Sequence, residues 1–268
     1  MNRIKRINRI DEKFDSLNGK KALITFVTAG DPSLEETEKL VLSMLDAGAD
    51  IVELGVPFSD PIAEGKTIQN ASKRSLDNKT TLVKIFELVG KLREKTQSPL
   101  LLMMYLNSIF AFGTERFFSM CKDKGIDGVI VPDMPYEEKD EIEEEAKKYD
   151  IHCIRLIAPS SNERIKMIAD GAKGFLYCVS SLGVTGTRSS YSTDFEHFFA
   201  EIKKHAKIPC AVGFGISDSE QAKKMSGYCD GVIIGSRIVE IIEKEKENAK
   251  KCVYDFIKSV RLALDGKI

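Results

Sequence analysis

Short apolar runs alternate with amphipathic stretches along the whole chain. Eight runs have the length and composition of strands, and they lie at residues 22–28, 51–54, 100–106, 128–131, 153–158, 175–179, 210–212 and 232–234. Between them, apolar residues recur with helical spacing, as in "LEETEKLVLSMLDAG" at 34–48 and "TTLVKIFELVGKLREK" at 80–95. Continuous apolar runs are typical of parallel strands that are buried on both faces. The pattern therefore predicts a series of βα units.

A weak internal repeat supports these units. The segments "AGADIVELG", "KGIDGVIVPD", "GAKGFLYCV" and "GYCDGVIIG" each place a glycine, the common helix terminator, shortly before an apolar run. Helix starts are indicated by Asp31-Pro32, as N-cap and first helical residue, and by a capping box in "SDSE" at 217–220. Eight βα units predict one (β/α)8 TIM barrel over residues 1–268. A doubly wound open sheet is the alternative, although no G-x-G-x-x-G follows the first strand.

The N-terminal segment "MNRIKRINRIDEKF" predicts an amphipathic helix within residues 1–18. Its apolar residues, Ile4, Ile7, Ile10 and Phe14, fall on one face at helical spacing. The segment lacks the apolar stretch of a signal peptide. We expect this extra helix to pack on the barrel, and a membrane-surface role is the alternative.

Charge and cysteine usage narrow the possible partners and the compartment. The formal net charge of −1 supplies no basic field for nucleic acid. The longest purely apolar run, residues 100–106, is too short to cross a bilayer. The six cysteines form no CxxC pair and mostly lie in or beside apolar runs, as free thiols do in a reducing cytoplasm. We expect a cytoplasmic protein that binds neither nucleic acid nor membrane.

Carboxylates follow the second predicted strand, where a barrel places its chemistry. Glu53 lies inside the apolar run, and Asp60 and Glu64 lie in the Gly/Pro/Ser-rich loop that follows. Burial of an unpaired carboxylate is costly and raises its pKa, so such a group is either paired or tuned for acid–base chemistry. Glu53 is therefore a candidate acid–base group.

Glycines at the ends of the seventh and eighth predicted strands predict a phosphate site. "GFGIS" at 213–217 and the pair Gly235-Ser236 would let backbone N–H groups approach an anion at a helix N-terminus. Tight turns alone are the alternative reading of these glycines.

Other chemistries find little support in the sequence. The three histidines lie at the start of the fifth predicted strand and on a predicted helix, so no metal site is expected. Strands two to eight place no lysine at an inward position, which argues against Schiff-base catalysis. Carboxylate acid–base catalysis remains, with Tyr177 nearby.

Five motifs together resemble the α subunit of tryptophan synthase. They are "FVTAGDP" at 26–32, "VELGVPFSDPIAEG" at 52–65, "VPDMP" at 131–135, "LGVTG" at 182–186 and "GFGIS" at 213–217. The resemblance implies a barrel enzyme that cleaves indole-3-glycerol phosphate into indole and glyceraldehyde 3-phosphate. It also implies a β subunit in an α2β2 heterotetramer, which receives indole through a tunnel and condenses it with serine. The pyridoxal phosphate cofactor belongs to that subunit, and this chain is expected to carry no cofactor.

The resemblance also implies roles for individual residues. Glu53 serves indole C3 and the side-chain hydroxyl as acid and base, and Glu64 occupies the position of the second acid, commonly aspartate, which bonds the indole N–H. Residues implied to couple the loops to the β subunit are Asp60 and Thr185, although Asp60 beside Pro61 is also a common turn-former. Residues implied to bind substrate are Phe26, Thr28, Tyr177, Gly186, Gly213, Gly215, Gly235 and Ser236.

Several related functions stay open at this point. An indole-glycerol-phosphate synthase should place a lysine at a strand end, and a ribulose-phosphate epimerase should show paired metal-binding histidines; neither signal is found. A free-standing lyase that releases indole is a further alternative. A non-catalytic subunit that activates its partner is another, which the retained Glu53 disfavours.

Overall fold

The computed structural model describes residues 8–179, 195–213 and 215–268, without the side chains of residues 162 and 163. Its strands all pair in parallel within one sheet. They are β1 Ala22–Thr28, β2 Ile51–Gly55, β3 Leu100–Met103, β4 Gly128–Ile130, β5 His152–Ile154, β6 Leu156–Ile157, β7 Leu176–Val179, β8 Cys210–Gly213 and β9 Gly231–Ile234.

The sheet closes on itself through one interrupted strand. The order is β5-β4-β3-β2-β1-β9-β8-β7-β6, and β5 and β6 are separated only by Arg155. They are two halves of the predicted fifth strand, with β5 paired to β4 and β6 paired to β7. The closed sheet thus has eight strand positions, and the predicted (β/α)8 barrel is confirmed.

Helices surround the sheet. They are α1 Arg9–Ser16, α2 Leu34–Ala47, α3 Lys66–Asp77, α4 Leu82–Arg93, α5 Leu106–Phe112, α6 Thr114–Lys124, α7 Asp140–Lys148, α8 Ile165–Ala169, α9 Phe195–His205, α10 Ser219–Ser226, α11 Ser236–Glu245 and α12 Ala249–Leu264. Short 3-10 helices lie at Tyr136–Glu138, Pro159–Arg164 and Lys246–Asn248. In the described parts of the chain, no helix is long and apolar enough to cross a membrane.

Two predicted helix starts were wrong by one or two residues. Helix α2 is capped by Ser33, whose side chain accepts from Glu36 N, because Asp31 instead binds the Arg74 guanidinium at 2.8 Å through each oxygen. Helix α10 is capped by Asp218, whose Oδ1 accepts from Gln221 N at 2.8 Å. An aspartate at the N-cap displaced the predicted serine in this case.

Two apolar layers separate the inside of the barrel from its helical shell. Alternate strand residues such as Ile24, Ile51 and Leu101 fill the interior, while their neighbours pack outward against the helices. Helix α1 closes the amino-terminal end of the barrel, because fully buried Ile10 joins the interior cluster and the Phe14 ring lies 5.7 Å from that of Phe175. The predicted Ile4 and Ile7 lie outside the described residues.

Candidate active site

A cavity of about 450 Å³ opens at the carboxyl ends of the strands. The described residues that line it are Phe26, Glu53, Ala63, Glu64, Gly65, Thr67, Ile68, Met103, Pro132, Leu156, Tyr177, Gly215, Ile216, Ser217, Gln221, Ile233, Gly235, Ser236, Arg237 and Glu240. The lining combines apolar side chains with polar groups near the starts of α10 and α11. A planar apolar group and an anion could therefore bind together here.

Glu53 lies at the bottom of this cavity. It is fully buried on the inner face of β2, where the register places it between Phe26 of β1 and Leu101 of β3. Neither carboxylate oxygen has a hydrogen-bond partner among the described residues. Burial alone raises the pKa of Glu53 to about 8. The group is therefore largely protonated at neutral pH and can act as a general acid.

Tyr177 and Phe26 form the aromatic walls around Glu53. Tyr177 is 4% exposed, and burial followed by the Glu53 charge raises the pKa of its phenol. The Phe26 ring excludes a side chain at Gly55, where an added Cβ would lie 2.4 Å from the ring, and a Cβ at Gly235 would make a tight contact of 3.2 Å with Phe26 Cβ. These small residues make room for the ring at the edge of the cavity.

Glu64 lies in the β2–α3 loop, half-buried at the cavity wall. Its carboxylate accepts a short hydrogen bond from the Tyr105 hydroxyl. Burial is the largest influence and raises the pKa of Glu64, the Tyr105 hydrogen bond lowers it, and the Asp133 charge raises it further. A half-buried carboxylate with one aligned donor can accept a further hydrogen bond from a ligand N–H.

Tyr105 is a site residue that the sequence reasoning missed. Its hydroxyl oxygen accepts from the backbone N–H of Ile62 at 3.0 Å and of Ala63 at 2.9 Å, and its ring stacks on Phe58 at 4.8 Å. Tyr105 thereby fastens the Glu64 loop to the end of β3. Because Tyr105 lies within the apolar run 100–106, it was interpreted as part of a buried strand. The strand ends at Met103, so Tyr105 lies in the segment that follows it. The polar hydroxyl at the end of an apolar run was the available signal.

The predicted anion site lies partly on the described residues. Gly215 has a φ of +82°, and Gly235 is the N-cap of α11 with no side-chain hydrogen bond at that cap. Ser236 is the first residue of the helix and lines the cavity, so this helix start, with its unpaired backbone N–H groups, lies at the cavity. Gly215, Gly235 and Ser236 thus line the same cavity, and their role in anion binding stays a prediction.

Other predicted residues lie outside the cavity wall. Thr28 is 1% exposed but does not line the cavity, and a Cβ at Gly213 would lie 2.6 Å from the Tyr177 hydroxyl oxygen. The absence of a side chain at Gly213 therefore leaves the space that the Tyr177 hydroxyl occupies. Asp60 is exposed and bonded to the Ser59 hydroxyl. The predicted Thr185 and Gly186 lie outside the described residues.

The chemistry available to this cavity is proton transfer. Among residues 8–179, 195–213 and 215–268, no group of histidine, cysteine, aspartate and glutamate side chains has the arrangement of a metal site. The described cysteines are free thiols. Two carboxyl groups with pKa values raised by burial, Glu53 and Glu64, line the cavity together with aromatic side chains and the start of α11. That arrangement suits general acid–base catalysis on a phosphorylated aromatic substrate.

Comparisons with known proteins agree with this geometry. The family model for the tryptophan synthase alpha chain matches residues 14–265. The tryptophan synthase alpha chain of Thermoanaerobacter sp. (strain X514) is 48% identical over 262 residues, which cover 96% of this chain and 100% of the relative.

Solved structures are similar over nearly the same span. Subunit alpha of tryptophan synthase from Legionella pneumophila superposes with a TM-score of 0.87 at 34% identity, covering 97% of this chain and 100% of the other. A chain of the tryptophan synthase a2b2 complex from Pyrococcus furiosus superposes with a TM-score of 0.83 at 36% identity, covering 90% and 98%.

Proposed function

Because the chain belongs to the tryptophan synthase alpha chain family, we propose that it cleaves indole-3-glycerol phosphate to indole and glyceraldehyde 3-phosphate. It is a carbon–carbon lyase of tryptophan biosynthesis, and it works with a β subunit as in the a2b2 complex of its relative. The β subunit holds pyridoxal phosphate, receives the indole and joins it to serine. The cytoplasm is the proposed compartment.

The observation that best supports this proposal is the burial of Glu53 without a hydrogen-bond partner among the described residues. A buried carboxylate without a described partner is unfavourable for stability and needs another explanation. In this cavity the explanation is a carboxylic acid that is kept protonated until it meets an aromatic carbon that can accept its proton.

The first step is the activation of the indole ring. The apolar wall around Met103, Leu156 and Ile233 binds the ring. Glu53 donates its proton to C3, while the Glu64 carboxylate accepts a hydrogen bond from the ring N–H and stabilises the positive charge that develops on nitrogen. The ring thereby becomes the electron sink that the cleavage requires.

The second step breaks the carbon–carbon bond. Glu53, now a carboxylate, removes the proton from the side-chain hydroxyl next to C3. The oxygen forms a carbonyl group, the bond to C3 breaks, and its electron pair enters the ring and neutralises the nitrogen. Glu53 regains its proton in this step, so the products are indole and glyceraldehyde 3-phosphate and the enzyme returns to its starting state.

Indole release from indole-3-glycerol phosphate, measured with and without a β subunit, tests the proposed function. We expect release in both conditions and a several-fold increase with the β subunit. Full activity without any response to a β subunit would instead support a free-standing lyase. The absence of turnover in both conditions, despite β-subunit activation, would support a non-catalytic activator.

Glu64 has its own test in the same assay. Glu64→Ala should reduce turnover severely, because the ring N–H loses its charged acceptor. Glu64→Asp should bring no gain, because the loop is fastened by Tyr105 in a position that suits the longer side chain. An alanine variant within about threefold of the parent, or about 0.7 kcal/mol, would remove Glu64 from the mechanism.

A further inference from the structure

The described wall of the cavity carries an unfavourable charge for a phosphorylated ligand. Glu64 and Glu240 bring two carboxylates to it, burial keeps Glu53 protonated, and Arg237 is the one cationic side chain among the described residues that line it. A phosphate monoester carries a charge between about −1.5 and −2 at neutral pH. Backbone N–H groups contribute only partial charges, so the cation nearest the anion-binding end is expected to matter.

An arginine at position 237 does not stabilise helix α11. The residue lies in the first turn of α11, where the helix dipole disfavours a cation and where no acidic residue offsets it. Its ion-pair partner among the described residues is Glu240, three residues later, at 3.4 Å. An arginine that precedes its acidic partner has the less favourable orientation for such a pair, and both side chains are more than one-third exposed.

Gln221 of α10 presents a donor from the neighbouring element. Its Oε1 accepts from the backbone N–H of Ser217 at 3.0 Å and from the Ser217 hydroxyl at 3.2 Å. A backbone N–H can only donate, so this contact fixes the orientation of the amide. The Nε2 group is thereby turned away from Ser217, and it donates to none of the residues that the structure describes.

We propose that Arg237 and Gln221 bind the phosphate group of the substrate through their side chains, in addition to the backbone groups of the two loops. Arg237 supplies the compensating charge, and Gln221 Nε2 supplies a neutral donor held in place by Ser217. The inference rests on the proposed function, since that function brings a phosphate to this end of the cavity.

Binding of glycerol 3-phosphate by calorimetry tests Arg237 directly. Arg237→Ala should weaken binding about tenfold and reduce the dependence of affinity on salt, because a charge contact that salt screens is lost. Arg237→Lys should recover most of the affinity. Lys244→Ala is the matched control, because it removes the same charge from the other end of α11. Affinity in Arg237→Ala equal to that of Lys244→Ala would overturn the role of Arg237.

Gln221→Glu tests the oriented amide with little change in shape. The new carboxylate can still accept both Ser217 hydrogen bonds, but it places an anionic oxygen where Nε2 was. We expect a larger loss of glycerol 3-phosphate affinity than in Arg237→Ala. Unchanged affinity in a folded Gln221→Glu variant would show that Gln221 does not bind the phosphate. Glu240→Gln removes an acidic group from the cavity wall, so it should bind glycerol 3-phosphate at least as well as the parent.

Turnover separates this inference from the proposed function. In both variants the Michaelis constant for indole-3-glycerol phosphate should rise while kcat stays within about twofold, because the phosphate is remote from C3. A loss confined to kcat would overturn the inference. A parent that binds glycerol 3-phosphate through these residues but releases no indole would overturn the proposed function alone.

Discussion

Two buried carboxylates lie at opposite ends of the barrel in opposite circumstances. At the amino-terminal end, Asp127 is 3% exposed and bonds to Arg9 at 2.8 Å, to Arg93 at 2.6 Å and to the N–H of Leu100 at 2.9 Å. At the carboxyl end, Glu53 is fully buried and has no such partner among the described residues.

The difference divides the molecule into a region that stabilises the fold and a region that we propose performs the chemistry. Around Asp127, buried charges are compensated and helix α1 is fastened to the barrel. Around Glu53, compensation would hold the carboxylate ionised and prevent it from donating a proton. In barrels of this type the amino-terminal face is usually important for stability and the carboxyl face for catalysis.

The largest expected effect is the loss of turnover in Glu53→Gln. The amide keeps the shape but cannot transfer a proton, so turnover should fall about 10²- to 10⁴-fold. Binding of glycerol 3-phosphate should persist. Steady-state indole release with the β subunit present measures the change, and Glu87→Gln on the exposed face of α4 is the control. Near-normal turnover in a pure preparation would exclude Glu53 as the acid–base group.

The next effect is the loss of stability in Asp127→Asn. Two arginines would lose their shared charge partner, which should lower the free energy of unfolding by about 3–5 kcal/mol. Urea unfolding followed by circular dichroism measures this loss. Asp123→Asn, at an exposed position on α6, should change stability little. Equal stability of the two variants would contradict the division between the ends.

Glu53→Gln should also change how stability depends on pH. In the unfolded chain the Glu53 carboxyl ionises near its ordinary pKa of 4.5, whereas the folded protein keeps its proton until about pH 8. The parent should therefore lose stability relative to Glu53→Gln as the pH rises between these values, by a few kcal/mol in all. Urea unfolding at pH 5 and pH 8 tests this. A constant difference between the two proteins would show that Glu53 is not buried as an acid.

The smallest of these effects is expected for Tyr105→Phe. Loss of the hydroxyl should lower kcat/KM about tenfold, or about 1.4 kcal/mol. It should also shift the acidic limb of the pH profile upward, because Tyr105 favours the ionised form of Glu64. Tyr149→Phe, at the end of α7, is the control. The effect should shrink in a Glu64→Asp background, and an undiminished effect there would contradict the contact.

Apolar periodicity was sufficient to predict the barrel but not its details. The runs at 22–28, 51–54 and 232–234 became strands because parallel strands that are buried on both faces are mostly apolar along their length. The division of the fifth strand at Arg155, whose guanidinium bonds both oxygens of Glu143 at 2.8 Å, was not predicted, because a charged residue at the end of an apolar run gives no sign of where strand pairing changes.

Site residues could be predicted where a polar or unusual residue interrupts the apolar pattern of the chain. Glu53 was conspicuous as an acid within an apolar run, and the loop glycines were conspicuous by their position. Tyr105 and Arg237 were not, because an aromatic residue in a strand-like run and a charged residue on a helix are both ordinary. Their relevance comes from side-chain directions at the cavity, which the order of residues does not show.

The pairing of β1 with β9 has a consequence for synthesis on the ribosome. One edge of β1 meets β9 in the register Ala22↔Gly231, and the neighbouring Lys21 bonds the carbonyl oxygen of Cys229 across a separation of 208 residues. At a synthesis rate of about 5–20 residues per second, roughly 10–40 s pass between the synthesis of β1 and that of β9. During this interval the nascent chain exposes the uncharged strand "ALITFVT", which is a target for chaperones and for pairing with other nascent chains.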